Sequence, residues 1–330
     1  MKGILNKKLL FLLSVILIGL FLTGMAVAQD YEIVHVYKIA GIPFGNVEES
    51  GVVQAGKELN VNSYQIAPTE PDPAQQVRMI EDLIAKGVDA ICVTPNDPSA
   101  LEPVLLKAQK KGIVVVTNEA VGQKGADWDI ETVDPKLWGA NSFEKFAKFM
   151  DGEGEFALFV GGLGVQFHND FADTALEVQK QKYPNMKLVT SRIPCGESIE
   201  LSFTRTNELM KAYPNLKGII GIGSLGPIGA AEALKAKNMA GKIIIVGSVM
   251  PEQSASYLKA GLIQAGSMSD PKKLGYAMVY VAKLLLDGEE IKDGMEIPGL
   301  GAANVDFEEK TIRLHGVLNI TAENADKLGF

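Results

Sequence analysis

The sequence predicts an α/β fold of two lobes, and three observations carry that expectation. Short β-rich runs alternate with stretches of helical periodicity along the chain. Two stretches repeat one plan of strand, polar loop, helix and strand. The dipeptide Asp-Pro recurs where helices are due to start, at Asp72-Pro73, Asp97-Pro98, Asp134-Pro135 and Asp270-Pro271. Alternation with short connections demands parallel sheets with helices on both faces. With 330 residues the chain is long enough for two domains, each with its own core.

Ile33-Val34-His35-Val36-Tyr37 reads as the first strand, followed by a loop from Lys38 to Gly45 and a helix from about Val47 to Leu59. Ser63-Tyr64-Gln65-Ile66 is the next strand. Asp72 then caps a helix by accepting from free first-turn N–H groups, and Pro73 fills the first helical position without needing a donor. Val77, Ile80, Leu83 and Ile84 form one apolar stripe, and Gly87 suits the left-handed residue that ends the helix. The first repeat unit follows. It comprises Ala90 to Thr94, the loop Pro95-Asn96-Asp97, a helix from Pro98 to about Lys111, and the strand Ile113 to Thr117.

A break between lobes is expected near Thr132–Lys136. Beyond it, Glu155–Val160 reads as strand, Asn169–Lys182 as helix, Lys187–Ser191 as strand and Ile199–Ala212 as helix. The second repeat unit is Gly218 to Ile222, a glycine-rich loop, a helix from about Ile228 to Lys237, and the strand Ile243 to Gly247. The helix from Pro271 to Asp287 has no partner strand nearby, and the tail from Ile297 to Phe330 is strand-rich, so the chain is expected to cross back between lobes. The first lobe is then residues 29–134 with 271–296, and the second 135–270 with 297–330. Ligands of open parallel sheets bind beyond the carboxyl ends of the strands, so two such crests suggest lobes facing each other across a cleft.

Bulk properties narrow the class. Lys2, Lys7 and Lys8 precede an apolar run from Leu9, and Ala26-Val27-Ala28 supplies the small residues of a cleavage site, so residues 1–28 read as a secretory signal peptide cut after Ala28. Its removal takes the net charge from −8 to −11, because three lysines leave and no acid does. An acidic exported chain is a poor partner for nucleic acid or anionic membranes. Cys92 and Cys195 are expected as two free, at least half-buried thiols. The mature protein is expected to be periplasmic or extracellular, and monomeric.

Gly221-Ile222-Gly223-Ser224-Leu225-Gly226 matches the glycine pattern of dinucleotide sites. The strand that should end in a ribose-binding acid ends instead in Val246-Gly247-Ser248. A tight turn bordering a cleft is the preferred reading, and no cofactor is expected. His35, His168 and His315 lack metal-ligand spacing, and neither G-x-S-x-G nor H-E-x-x-H occurs. What remains is a set of polar residues at strand ends, Lys38, Asn96, Asn118, Glu119, His168, Asn169, Ser224 and Asp270, with Phe44 and Phe167 among them. Amide, carboxylate, ammonium and imidazole groups suit sugar hydroxyls, and aromatic rings suit apolar sugar faces. Asn96 serves equally as a turn residue, Asp270 competes as a helix cap, and His168 as a packed or solvated loop histidine.

The order Tyr37-Lys38 with Pro43-Phe44 beyond, Val93-Thr94-Pro95-Asn96-Asp97, Val115-Val116-Thr117-Asn118-Glu119 and Ser269-Asp270-Pro271 resembles the periplasmic sugar-binding proteins of ABC importers, in particular the rhamnose-type and autoinducer-2-binding branch. The resemblance spans essentially the whole mature chain. It implies a type I periplasmic-binding-protein fold of two Rossmann-like lobes joined by a three-segment hinge. It also implies closure on a sugar-sized ligand and delivery to a membrane permease. By the same resemblance Lys38 matches the branch's ligand-binding lysine, Glu119 stands where the branch has an aspartate, and Phe44 matches a sugar-lining aromatic. Phe167-His168 replaces an Asp-Gln pair, and Asn169 and Ser224 replace an arginine and an aspartate of ribose binders. With few charges expected in the second lobe, a small sugar, deoxysugar or polyol is the expected ligand. A secreted α/β enzyme acting on a small carbohydrate and a sensor presenting its ligand to a membrane receptor are the alternatives.

Overall fold

A computed structural model describes residues 31–330, and the expected signal peptide lies outside the described residues. The first sheet is built from β1 (Glu32–Val36), β2 (Asn62–Ile66), β3 (Ala90–Val93), β4 (Val114–Thr117) and β5 (Trp128–Glu131). Helices α1 (Pro43–Leu59), α2 (Pro73–Lys86) and α3 (Pro98–Lys110) connect them. The five strands pair in parallel; late in the chain β12 (Glu296–Ile297) and β13 (Gly301–Ala302) form a separate antiparallel pair, and β14 (Asn304–Asp306) and β15 (Thr311–Arg313) extend the first sheet to the order β14-β15-β5-β4-β3-β1-β2. The helix starts follow the expected chemistry: the Asp72, Asp97 and Asp134 carboxylates accept first-turn N–H groups, each with Pro at the first helical position.

The second lobe opens with α4 (Pro135–Phe149). Around its sheet lie α5 (Gln166–Lys182), α6 (Ile199–Ala212), α7 (Gly226–Ala236) and α8 (Pro251–Lys259). The strands are β6 (Gly154–Val160), β7 (Met186–Leu188), β8 (Ile193–Pro194), β9 (Leu216–Gly221), β10 (Ile244–Ser248), β11 (Ala265–Met268) and β16 (Leu318–Ile320). Their order is β16-β11-β10-β9-β6-β7, with β8 also paired to β6. Two interior strands, β6 and β9, are buried on each face and read as near-continuous apolar runs, as parallel strands between two helix layers must. A core of buried residues fills this lobe around Phe143, Phe146, Phe156 and Phe159, and the first lobe has one core on each face of its sheet. A fully buried leucine or phenylalanine contributes about 2–3 kcal/mol, so these clusters hold each lobe together. A small fourth cluster joins the lobes, with Tyr37 and Ile42 from the first against Leu225 from the second.

Three crossings connect the lobes: β5 to α4, β11 to α9 (Pro271–Leu286), and β15 to β16. The Leu314 N–H donates to the Glu131 carbonyl and the Gly316 N–H to that of Thr132, so the first and third crossings run side by side. Helix α9 packs on α1 in the first lobe. The tail differs from expectation: residues 297–330 do not all belong to the second lobe. β14 and β15 add to the first sheet because β15 covers the open side of β5, and only β16 with the segment after it, 321–330, packs on the second lobe. β5, β8, α8 and β11 are additional to the expected elements, and α1 and α5 start earlier than expected.

Candidate functional site

Between the two crests lies a cavity with about 500 Å³ of space free of protein atoms, part of it open to solvent. From the first lobe come Lys38 after β1, Phe44 at the start of α1, Asn118 and Glu119 after β4, and Glu131 at the end of β5. The second lobe contributes Trp138, Phe167, His168, Glu197, Ser224 and Ser248. Bounded by both lobes and lined by polar side chains beside aromatic rings, the cavity has the chemistry of a site for a small polar ligand.

At its centre stands Lys38, only 3% exposed. Its Nζ donates to Glu119 Oε2 at 2.8 Å within its own lobe, and to Glu197 Oε1 at 3.4 Å across the cleft. Burial works against the charge, but the two glutamates overcome it and lift Lys38 above the ordinary lysine value. Glu119 reaches Lys38 from a left-handed backbone, φ +58°. A non-glycine residue held there is under a strain of about 1 kcal/mol or more, which the surroundings must impose.

His168 is fixed by its backbone neighbour. The Gly161 N–H donates to Nδ1 at 3.0 Å, so the ring proton sits on Nε2, 3.9 Å from Glu197 Oε1. Burial, and then the Lys38 charge, hold the ring well below the ordinary histidine value, and His168 is neutral. It stands in the first turn of α5 rather than in a loop, packed edge-on to Phe167, which itself meets Trp138. Beneath the site His35 and Glu48 are fully buried. His35 Nδ1 donates to Gln65 Oε1 at 2.9 Å, and burial brings the ring down to about 4 although that bond opposes the shift. Burial likewise raises Glu48 well above the carboxylate range, with Glu119 adding to the effect.

Seven of the expected residues line the cavity: Lys38, Phe44, Asn118, Glu119, Phe167, His168 and Ser224. Three do not. Asn96 Nδ2 donates to the Lys38 carbonyl at 2.8 Å, and Asn96 N–H to Gln76 Oε1, so this side chain holds the Lys38 backbone in place. Asn169 turns its amide to the Leu163 and Val165 carbonyls and accepts from Arg192, clasping the loop after β6. Asp270 caps α9 through the N–H groups of Lys272 and Lys273. Glu131, Trp138 and Glu197 line the cavity without having been expected. The Glu197 signal was faint, an acid just past the two-residue strand β8. Its presence corrects the expectation that the second lobe brings almost no charge.

The glycine-rich loop has a structural explanation. The Leu225 and Gly226 N–H groups at the start of α7 both donate to the Gly196 carbonyl at 3.0 Å, using the donors a pyrophosphate would need. Gly223, with φ +101°, lies so close that a Cβ there would come within 2.8 Å of the same carbonyl oxygen. The loop therefore presses Ser224 and the Glu197 turn together at the cavity wall. Cys92 sits inside β3 and Cys195 in that turn, both buried.

Comparison with known proteins agrees with this architecture. A model of the periplasmic binding protein domain matches residues 33–290. The chain belongs to that family. Among its relatives, the D-allose-binding periplasmic protein of Escherichia coli is 29% identical, the match covering 89% of this chain and 94% of that protein. The xylitol-binding protein of Mycolicibacterium smegmatis is 25% identical, over 77% of this chain and 74% of the other. Among solved structures, an ABC transporter solute-binding protein of Clostridium phytofermentans with bound L-rhamnose superposes with a TM-score of 0.83. It is 21% identical and covers 90% of this chain and 98% of its own. LsrB of Clostridium saccharobutylicum in complex with AI-2 also has a TM-score of 0.83, at 19% identity, covering 91% and 100%. This periplasmic binding protein therefore has two α/β lobes of the type I arrangement, with the cavity between them.

Proposed function

We propose that this protein is an extracytoplasmic solute-binding protein that closes its lobes on one small sugar or sugar-like molecule and delivers it to an ABC importer permease. The observation that carries the reading is the Lys38 centre, where a cation of one lobe meets Glu119 of the same lobe and Glu197 of the other. A ligand hydroxyl at that centre gains both a strong donor and strong acceptors, and it does so only when the lobes are together. Binding then shifts an open–closed equilibrium by its preference for the closed form. The neutral His168 and the serine hydroxyls offer donors, and Phe44, Phe167 and Trp138 offer apolar surface to the C–H faces.

Relatives described as binding D-allose, xylitol and ribose support the sugar class, and structures with L-rhamnose and D-arabinose support the size. The protein has no catalytic task on this reading. Residues 1–28 direct export and are removed after Ala28, and the mature chain acts as a monomer. A thermal-shift screen of residues 29–330 against pentoses, deoxyhexoses, polyols and furanose signals tests it. A ligand at 100 times its dissociation constant stabilises by about 2.7 kcal/mol, a rise of a few degrees in Tm for a chain of this size. A flat response from every sugar-like compound counts against the proposal.

A further inference from the structure

The hydrogen-bonding groups around the cavity are unevenly divided. Glu119 and Glu197 share a single cation, Lys38. Glu131 is 1% exposed and lines the cavity, and among the described residues no N–H or hydroxyl donates to either of its carboxylate oxygens. Asn118 gives its Nδ2 to the Ile130 carbonyl at 2.6 Å, which sets it beside Glu131 and leaves its Oδ1 without a donor. On the donor side Trp138 Nε1 is already bonded to Ser267, and His168 brings a single ring proton, 3.9 Å from Glu197 Oε1 and available to a ligand. The other side-chain donors are the third Lys38 Nζ proton and hydroxyls, and each hydroxyl is also an acceptor. Asp129, two residues before Glu131 on the same face of β5, is a further buried acid within hydrogen-bonding reach of it, so the two carboxyls compete for one proton.

A neutral polyol leaves this imbalance in place, because each of its hydroxyls brings one proton and two lone pairs. A protonated amine brings three donors, no acceptor and the missing positive charge. We propose that the cleft is specific for a polyhydroxylated ligand carrying a protonated primary amine, an amino sugar or amino polyol, with its ammonium at Glu131 and the Asn118 Oδ1. This rests on the sugar-binding reading above and narrows its ligand class. Burial first, and then the nearby Asp129 and Glu119, raise the Glu131 carboxyl well above the ordinary carboxylate range, with Arg313 opposing. An ammonium beside it is the partner that stabilises its ionised form. Anionic sugars are excluded by the same charges.

Calorimetry on residues 29–330 with matched pairs tests the proposal: D-glucosamine against D-glucose, D-galactosamine against D-galactose, and 1-amino-1-deoxy-D-sorbitol against D-sorbitol. At least one amine is expected to bind tenfold or more tightly than its hydroxyl counterpart. Glu131→Gln should reduce that ratio at least tenfold, with circular dichroism confirming the fold. If that variant does not fold, the wild-type preference should still disappear once the pH is raised enough to deprotonate the amine. Binding of neutral sugars that equals or exceeds that of every amine overturns the ammonium subsite and leaves the sugar-binding reading standing. A preference that survives in Glu131→Gln, or above the amine's pKa, overturns it as well. Absence of binding by either class overturns both.

Discussion

At the scale of single residues, the site depends on charges whose partners come from distant parts of the chain. Lys38 and Glu119 were legible because each follows a buried strand into a crest, where a charged side chain has little structural reason to be. Glu197 was not, since nothing near Gly196 announces the pairing with Lys38 made 159 positions away. Replacing Glu197 by Gln should weaken ligand binding by about 2–5 kcal/mol, the usual loss for one partner of a buried charged pair, when titrated calorimetrically. The first lobe should keep its stability. An unchanged dissociation constant would show that Glu197 does not bridge the lobes in the bound state. His35 supports a pH prediction. Its folded value is about 4 against the ordinary 6.5, so the unfolded chain takes up a proton first as the pH falls. Stability attributable to His35 is complete above about 6.5 and is lost between 6.5 and 4, on the order of 3 kcal/mol in all. Denaturant midpoints of His35→Gln measured across that window should fall less than those of the wild type. Equal falls would place the acid sensitivity elsewhere.

At the scale of elements, the helices were easier to anticipate than the strands. Asp-Pro starts and apolar stripes are local signals, and α6 lies where expected, from Ile199 to Ala212. β5 was hidden because Trp128-Asp129-Ile130-Glu131 alternates acid with apolar residues and resembles a half-exposed edge. It is an interior strand only because β15 arrives from the end of the chain to pair with it, and Glu131 went unnoticed for the same reason. Local signals can also mislead about role. Asp270 looked like a ligand residue and is the cap of α9. Asp270→Ala should therefore cost about 1 kcal/mol in unfolding experiments, with Asp270→Asn costing less, and neither should alter ligand affinity. A tenfold affinity loss in both would return Asp270 to the site. The α1–α9 contact is a second element-level test. A Cβ on Gly275 would lie 2.2 Å from the Glu48 carbonyl oxygen, and one on Gly51 1.9 Å from that of Lys272. Gly275→Ala should destabilise by about 1–3 kcal/mol through overpacking and, by shifting the α1 turn that holds Phe44, weaken binding. Retained stability would mean the helices separate without strain.

For the whole molecule, the two-lobe plan follows from the repeated strand–loop–helix–strand units, but the assignment of the tail does not. Lobe membership of residues 297–330 is decided by which sheet edge is open, a property of the assembled fold rather than of local composition. Three crossings join the lobes, and the cleft they border holds one cation shared between two acids from opposite sides. On the proposed reading this arrangement retains a ligand and does not transform it. The most direct measurement is calorimetric titration of residues 29–330 with the tightest sugar-like ligand from the panel, followed by denaturation and chemical analysis of the released molecule. The expected result is one ligand per chain, recovered unchanged, with binding abolished in Lys38→Ala. Recovery of a converted product, or undiminished binding without Lys38, would contradict it.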